Sequence, residues 1–186
     1  MQEEGKGKYA WVATGTENND TVFSMGQSRG KGNIAELGVA SIGISDDYGA
    51  YKKTFAEHQL CWAHPQRKLR DVAESKEIET GKRERCKNNY VRFSKLYARI
   101  ARSRGQTLSV YLKRVFQKEF DSLSVHHAID PTLHAKIKEA LRKNKEKYFT
   151  FLAHPNIPID NNKAERSLRH LVIKRKISFG SKTQRG

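Results

Sequence analysis

The feature that most constrains the fold is a change in the spacing of apolar residues near residue 60. Before it, Tyr9 to Gly15 and Thr21 to Gln27 are rich in aromatic and β-branched residues and flank a polar turn, which is typical of a β-hairpin. After it, apolar residues recur at spacings of three and four, as on one face of an α-helix. The sequence therefore predicts an α/β fold in which strands come first and helices follow.

A third strand is predicted at Val39 to Ser45, in which Gly43 is a weak point unless backbone or a ligand approaches closely there. In the helical part, Thr107 and Asp130 stand where capping side chains are expected, and Pro131 follows the second of them. Three long helices are predicted from their apolar stripes: Cys86, Tyr90, Phe93, Tyr97 and Ile100 on the first, Leu108, Leu112, Val115 and Phe116 on the second, and Leu133, Ile137, Leu141, Tyr148 and Leu152 on the third.

These patterns divide the 186 residues into three parts. Residues 1–60 form the strand-rich part of a core, residues 61–155 form a basic helical segment, and residues 156–186 contribute a C-terminal helix that carries Glu165. That last helix is predicted from about Asn162 to Lys174. A chain of this length is sufficient for one domain that contains a large insertion.

Positive charge is concentrated in the helical part of the chain. Residues 1–60 hold 6 Lys and Arg against 8 Asp and Glu, whereas residues 61–186 hold 30 against 12. The resulting net charge of +18 over the second part favours a polyanionic partner such as duplex DNA. The simpler alternative for any single Lys or Arg is a solvated helix face.

The composition argues against several classes of protein. No run approaches the roughly 20 apolar residues of a membrane-spanning helix, and no basic start with an apolar segment behind it indicates a secretory signal. Cys61 and Cys86 could form one disulfide, but two cysteines in such a chain favour reduced thiols in the cytoplasm. No glycine-rich turn followed by Lys and Ser or Thr indicates a nucleotide cofactor.

Two acidic residues are candidates for metal-dependent chemistry. Asp46 follows an apolar strand, where a carboxylate at the rim of a sheet can ligate a hard divalent cation, and Glu165 lies one turn inside the C-terminal helix. Each has an alternative, because Asp46 and Asp47 could cap a turn and Glu165 could form a capping box with Asn162. In a strongly basic chain, the two carboxylates suggest metal-dependent chemistry on nucleic acid.

Several basic residues near these carboxylates are candidates for contact with phosphate. Cys61 and His64 have a spacing that could ligate zinc, but no second cysteine pair completes the usual four ligands. His64 and Arg67 are therefore assigned to phosphate contact or to support of the acidic site. The other predicted nucleic-acid contacts are Arg166, Arg169, Lys174 and Arg175.

Three blocks of the sequence occur together in the order of a known family. They are Ser45–Tyr51 (SDDYGAY), Cys61–Lys68 (CWAHPQRK) and Asp160–Arg169 (DNNKAERSLR). In this order they resemble the transposase of the insertion sequence 66 family of bacterial mobile elements. The resemblance covers most of the chain, from about Lys8 to Gly180.

The resemblance implies a ribonuclease-H-like fold, with a mixed sheet, flanking helices and a helical insertion before the last acidic residue. It also implies a DNA transposase that uses three carboxylates, Asp, Asp and Glu, to hold two Mg²⁺ or Mn²⁺ ions. By motif match, Asp46 is the second carboxylate and Glu165 the third. The family's first Asp stands in an Asp-Glu-Thr strand ahead of the segment matching Tyr9, and this sequence lacks it. We therefore expect a truncated central domain that is inactive alone and binds no ion tightly.

Two alternatives to a catalytic domain stay open at this point. One is a non-catalytic remnant that binds duplex DNA, such as the ends of the element, through its basic helices. The other is a remnant that pairs with full-length transposase. All of these readings place the protein in the bacterial cytoplasm, associated with the nucleoid.

Overall fold

Short strands and helices make up most of the chain in a computed structural model, which describes residues 9–16, 20–26, 41–51, 54–169 and 173. The chain divides into two compact units. The first contains residues 1–43, 47–56 and 161–186, and the second contains residues 44–46 and 57–160. The described residues confirm the mixed α/β class, with two small sheets of two strands each.

The first unit contains the predicted hairpin. Strands β1 (Tyr9–Thr14) and β2 (Thr21–Gly26) pair antiparallel, and a backbone hydrogen bond of 2.8 Å closes the turn between them. Trp11 on β1 is buried, and its ring meets that of Tyr51 edge-on with the centroids 5.9 Å apart. The hairpin therefore packs against the segment that carries the first motif.

The second sheet joins strands β3 (Ile42–Ser45) and β4 (Glu57–Leu60). The ring of Phe55 occupies the space that a Cβ atom at Gly43 would need, so any side chain at this position would collide with it. The close neighbour of this glycine is therefore a side chain, and not the backbone or ligand considered from the sequence. The beginning of the strand predicted from Val39 lies outside the described residues.

Four helices of the second unit pack around one aromatic core: α1 (Ala63–Glu74), α2 (Thr80–Arg102), α3 (Val110–Ser124) and α4 (Thr132–Lys143). Helices α1 and α3 each pack against both α2 and α4. The fully buried ring of Trp62 lies at the centre of this core. Across the described ranges, none of the helices has the length and apolarity needed to cross a membrane.

The starts of two helices differ from the prediction. Ser109, and not Thr107, caps α3 through its side-chain oxygen. Asp130 does not cap α4, because its carboxylate accepts hydrogen bonds from Nζ of Lys138 at 2.9 Å and from the amide of His127 at 2.8 Å. Both predictions were therefore wrong, and for Asp130 the reason is that its side chain meets competing partners.

The helix predicted to run from Leu133 to Leu152 is interrupted after α4. A short helix, α5 (Lys145–Tyr148), and one 3-10 turn follow instead. The buried side chain of Gln59 explains the break, because its amide nitrogen donates to the carbonyl of Tyr148 at 3.0 Å and its oxygen accepts from the amide of Phe151 at 2.9 Å. The carbonyl of Tyr148 and the amide of Phe151 thus form hydrogen bonds with a side chain from β4 rather than with the backbone of a continuous helix.

A buried polar network joins α2 to α4. Nδ1 of His134 lies 3.4 Å from Sγ of Cys86, and Nε2 lies 3.2 Å from Oδ1 of Asn89. Lys138 and Asp130 form an ion pair beside this imidazole, and all five side chains are almost completely buried. Burial, with a smaller effect from Lys138, lowers the pKa of His134 to about 4, and burial raises the pKa of the Cys86 thiol. The imidazole and the thiol are therefore neutral at pH 7.

Candidate functional site

Backbone hydrogen bonds within the second unit connect the start of the first motif, the second motif and the residue that precedes the third. The amide of Cys61 donates to the carbonyl of Ser45 at 2.9 Å, and the amide of Trp62 donates to the carbonyl of Ile159 at 2.9 Å. The first motif, the second motif and the residue before the third motif are thereby held side by side. Segments that lie far apart in the sequence thus meet at the end of β4.

Asp46 is held next to the second motif. It follows β3 directly, as predicted, and it is half-buried, whereas Asp47 is exposed. One of its carboxylate oxygens lies 3.9 Å from Nε2 of His64, which is in the first turn of α1. This distance is too long for a hydrogen bond but allows electrostatic attraction to a protonated imidazole. His64 is therefore placed to support the acidic residue, which is one of its two predicted roles.

The described residues do not form a complete metal site by themselves. Cys61 is buried, with 1% of its surface exposed. Within the ranges that the structure describes, no three or more His, Cys, Asp or Glu side chains are grouped so that they could hold a metal ion. Since Mg²⁺ needs several oxygen ligands and structural zinc needs four donors, the described side chains supply at most part of either ligand set.

Sequence reasoning missed the pair formed by Tyr97 and Asp160. The hydroxyl of Tyr97 on α2 donates to Oδ2 of Asp160 at 2.8 Å, and the Tyr97 ring stacks on the indole of Trp62 with the centroids 6.3 Å apart. Burial, followed by the nearby Asp160 carboxylate, raises the pKa of Tyr97, so the phenol stays a neutral donor. A tyrosine in an apolar stripe signals that its hydroxyl needs a partner, but the stripe does not identify the partner.

Glu165 belongs to the first unit and lies on α6 (Asn162–Ser167). Its amide donates to the carbonyl of Asn161 at 3.1 Å, and Asn161 is the residue that precedes the helix. The capping-box alternative required Asn162 as the cap, and it is wrong because Asn162 already lies inside the helix. Asp46 and Glu165 fall in different units.

Helix α6 packs against β1 of the same unit. Nζ of Lys163 donates to the carbonyl of Gly15 at 2.9 Å, which links the helix to the end of that strand. In the predicted buried stripe, Ala164 and Leu168 are only half-buried. Leu171 and Val172, the other members of that stripe, lie outside the described residues, as does the predicted end of the helix at Lys174.

The predicted phosphate contacts differ in their exposure. Arg67 is half-buried on α1. Burial raises the pKa of the Tyr97 hydroxyl, and the positive charge of Arg67 offsets a smaller part of that rise. Arg166 and Arg169 are exposed, while Lys174 and Arg175 lie outside the described residues. The helical segment adds further exposed cations on α2, α3 and α4, namely Lys95, Arg102, Arg114, Arg142 and Lys143.

Comparison with known proteins identifies the family. A sequence profile described as the transposase IS66 family matches residues 1–186. The chain belongs to this family. This membership confirms the resemblance carried by the three motifs.

One curated relative of this IS66-family chain comes from Sinorhizobium fredii (strain NBRC 101917 / NGR234) and is named uncharacterized protein y4jO. It is 26% identical over 143 residues, which is 77% of this chain and 42% of the relative. The chain therefore spans less than half the length of that relative. No solved structure matches the chain.

Proposed function

We propose that this chain is part of a metal-dependent DNA transposase and that it contributes Asp46 and Glu165 to the catalytic site. The observation that carries the proposal is that both carboxylates fall in motifs of the family to which the whole chain belongs. The backbone bonds that gather the motif segments in the second unit support it. The finer fold assignment, a ribonuclease-H-like core with residues 61–155 as a helical insertion, is part of the same proposal.

Asp46 and Glu165 are hard oxygen donors of the kind that Mg²⁺ and Mn²⁺ accept. A bound pair of such ions would activate the attacking water or 3′-hydroxyl and stabilise the leaving oxygen. Both carboxylates are half-buried, which limits the number of competing waters around each. Because the described residues hold no complete ligand set, the proposal requires a third carboxylate, which the resemblance assigns to an Asp-Glu-Thr strand.

The other residues have supporting roles in the proposal. His64 lies beside Asp46 and, when protonated, attracts its carboxylate. Arg166 and Arg169 are exposed near Glu165 along the chain, where guanidinium groups can pair with phosphate oxygens. The proposed location is the bacterial nucleoid, and full-length transposase is a proposed protein partner.

The catalytic assignment is tested in a longer chain that also carries the Asp-Glu-Thr strand. Asp46→Asn and Glu165→Gln are each expected to lower the rate of Mg²⁺-dependent DNA nicking by at least about 10³-fold, because each removes a charged ligand to the ions. The measurement is the conversion of supercoiled plasmid to nicked circles.

Asp47→Asn is the matched control, because it removes an exposed carboxylate next to Asp46. It is expected to retain nicking, and thermal unfolding of each variant would show that all of them fold. Equal nicking by wild type, Asp46→Asn and Glu165→Gln would refute the assignment.

The second candidate function is DNA binding without catalysis. The observation that favours it is the net charge of +18 over residues 61–186, together with the exposed cations of the helical segment. A surface of this kind binds phosphates through released counterions and has little preference for sequence. This candidate needs no third carboxylate, so it can be tested with the present chain.

Binding to unrelated duplexes is expected to weaken by roughly 10³-fold or more between about 50 and 200 mM salt if six or more phosphates are contacted. Replacing Lys95, Arg102, Arg114, Arg142 and Lys143 with glutamine should weaken the binding and flatten its salt dependence. Fluorescence anisotropy with labelled duplexes measures both quantities.

The control replaces Lys82 and Lys87 with glutamine. These lysines pair with Glu79 and Glu84 at 3.1 and 3.6 Å, so their charges are already partly compensated. Their replacement should change the salt dependence much less than the five exposed cations do. Affinity that is the same at low and high salt would exclude this second candidate.

A further inference from the structure

We infer that Tyr97 and Asp160 form a positioning pair, through which the helical segment holds the start of the third motif. The inference rests on the proposed function, because the third motif contains Glu165. It assigns a role to one residue from outside all three motifs and to one acidic residue that needs no contact with metal or DNA.

The first step of the argument is the geometry around the Tyr97 ring. Its hydroxyl donates to Oδ2 of Asp160 at 2.8 Å, and its ring stacks on Trp62 at an interplanar angle of 18°. Trp62 belongs to the second motif, and its amide donates to the carbonyl of Ile159. Tyr97 and Trp62 therefore hold Ile159 and Asp160 from two sides, one through a side chain and the other through the backbone.

The second step is that the pair connects to Glu165 through one short path. Asp160 is followed by Asn161, and the carbonyl of Asn161 accepts the amide of Glu165 at 3.1 Å. Three further positions, Asn162, Lys163 and Ala164, lie between them in the first turn of α6. A displacement of Asp160 would therefore move its neighbour Asn161, whose carbonyl accepts the amide of the proposed catalytic glutamate.

The third step is that packing alone does not require the hydroxyl. A phenylalanine at position 97 would make the same stack on Trp62, because the ring is what contacts the indole. The hydroxyl contributes only the bond to Asp160. Hydrogen bonds to charged acceptors are among the stronger ones in proteins, so this bond is suited to fixing the position of Asp160.

The first experiment uses the chain as it is and measures amide hydrogen exchange. In Tyr97→Phe, exchange at the amides of Glu165 and Leu168 is expected to accelerate by roughly 10-fold, since a hydrogen bond to a charged group is lost. Amides within α3 should keep their rates. Tyr90→Phe is the matched control, because Tyr90 lies on the same helix and is also half-buried.

Two outcomes of this first experiment would overturn the inference. One is unchanged exchange at Glu165 and Leu168 in Tyr97→Phe. The other is acceleration that is uniform over α2, α3 and α6, which would mean that the hydroxyl only contributes to global stability.

The second experiment measures nicking by the longer chain that carries the Asp-Glu-Thr strand. Asp160→Asn keeps an oxygen that can accept from Tyr97, and we expect it to retain most of the activity. Asp160→Ala and Tyr97→Phe remove the bond, and each is expected to lower kcat by roughly 10-fold with little change in KM for DNA.

The results separate this inference from the proposed function. If Asp160→Asn is as inactive as Asp46→Asn, Asp160 acts through its charge and the positioning role is wrong. If Asp46→Asn nicks like the wild type, the proposed catalytic function fails, and the exchange experiment still decides whether the pair holds α6.

Discussion

Replacing Trp62 with alanine is expected to lower the free energy of unfolding by about 4–5 kcal/mol, which is close to the whole stability of many domains of this size. The side chain is fully buried, and the ring packs against aromatic residues from α2, α3 and the segment after α4. Its indole N–H also donates to the carbonyl of Tyr148 at 2.9 Å. The five aromatic neighbours, with centroids 5.4 to 6.3 Å away, are Phe93, Tyr97, Phe120, Tyr148 and Phe149.

Urea unfolding followed by circular dichroism measures this effect. Trp62→Phe is an informative intermediate, because it keeps an aromatic ring and leaves the carbonyl of Tyr148 with the hydrogen bond from Gln59. The surface control is Tyr111→Ala, at a residue that is 77% exposed, and its effect should stay within roughly 0.5 kcal/mol. A Trp62→Ala variant as stable as the Tyr111→Ala control would show that the core does not depend on this indole.

Acidification from pH 6.5 to 4 is expected to destabilise the protein by roughly 3 kcal/mol through His134 alone. The imidazole is 1% exposed, and burial lowers its pKa from 6.5 to about 4. Between these two pH values, His134 is protonated in the unfolded chain and neutral in the folded chain. The stability is therefore complete above about pH 6.5 and is lost as the pH falls towards 4.

The hydrogen bonds around His134 favour the neutral imidazole over the protonated form. The amide nitrogen of Asn89 donates to the carbonyl of Leu123 at 3.2 Å. Oδ1 of Asn89 therefore faces Nε2 of His134 and accepts a hydrogen bond from its N–H group. Nδ1 then carries the lone pair that accepts from the thiol of Cys86, 3.4 Å away. A second proton would remove that acceptor and place an imidazolium near Lys138, while Asp130, with Oδ1 3.6 Å from Nδ1, offsets only part of the cost.

Asp130 changes the stability in the same direction at lower pH. Hydrogen bonds from the His127 amide and Lys138 outweigh the effect of burial and lower the pKa of its carboxyl from 3.8. Its stabilising contribution is present above that value and is lost as the pH falls through the lower folded value. Acid unfolding therefore begins with His134 and continues with Asp130.

The measurement is a series of urea unfolding curves between pH 7 and 4.5. In the wild type the free energy of unfolding should fall with a slope that approaches roughly 1.4 kcal/mol per pH unit. His134→Gln costs stability at pH 7 but should flatten this slope, whereas the exposed control His126→Gln should leave the slope unchanged. A wild-type profile that is flat over this range would show that the imidazole does not stay neutral in the folded protein.

Local patterns predicted a large part of this molecule correctly. The hairpin and the helical character of the chain after Cys61 follow from side-chain shape and spacing over a few residues. The family was recognised from three short blocks, and the profile match over the whole chain confirms it. These features depend on short stretches of sequence, so they can be predicted before any tertiary contact is known.

The errors arise where residue type does not specify which hydrogen-bond partner a polar side chain binds. Thr107 and Asp130 have capping side chains, yet Ser109 caps one helix and Asp130 instead binds Lys138, eight residues further along the chain. Gln59 was passed over, although its side chain bonds to backbone groups about ninety residues later and interrupts a predicted helix. A hydrogen bond forms with whichever group folding brings near, and spacing along the chain does not specify that group.

The amino-acid sequence by itself determined the α/β class, the basic helical segment, the family and the identity of the two candidate carboxylates, because these follow from residue type, short-range periodicity and motif order. Only the tertiary structure decided that Trp62 is the centre of the core, that His64 lies beside Asp46 and that Tyr97 holds Asp160. The physical reason is that burial and hydrogen bonding are satisfied over the whole folded chain. Tyr97 and Asp160 are separated by 63 positions in the sequence, and only folding joins them.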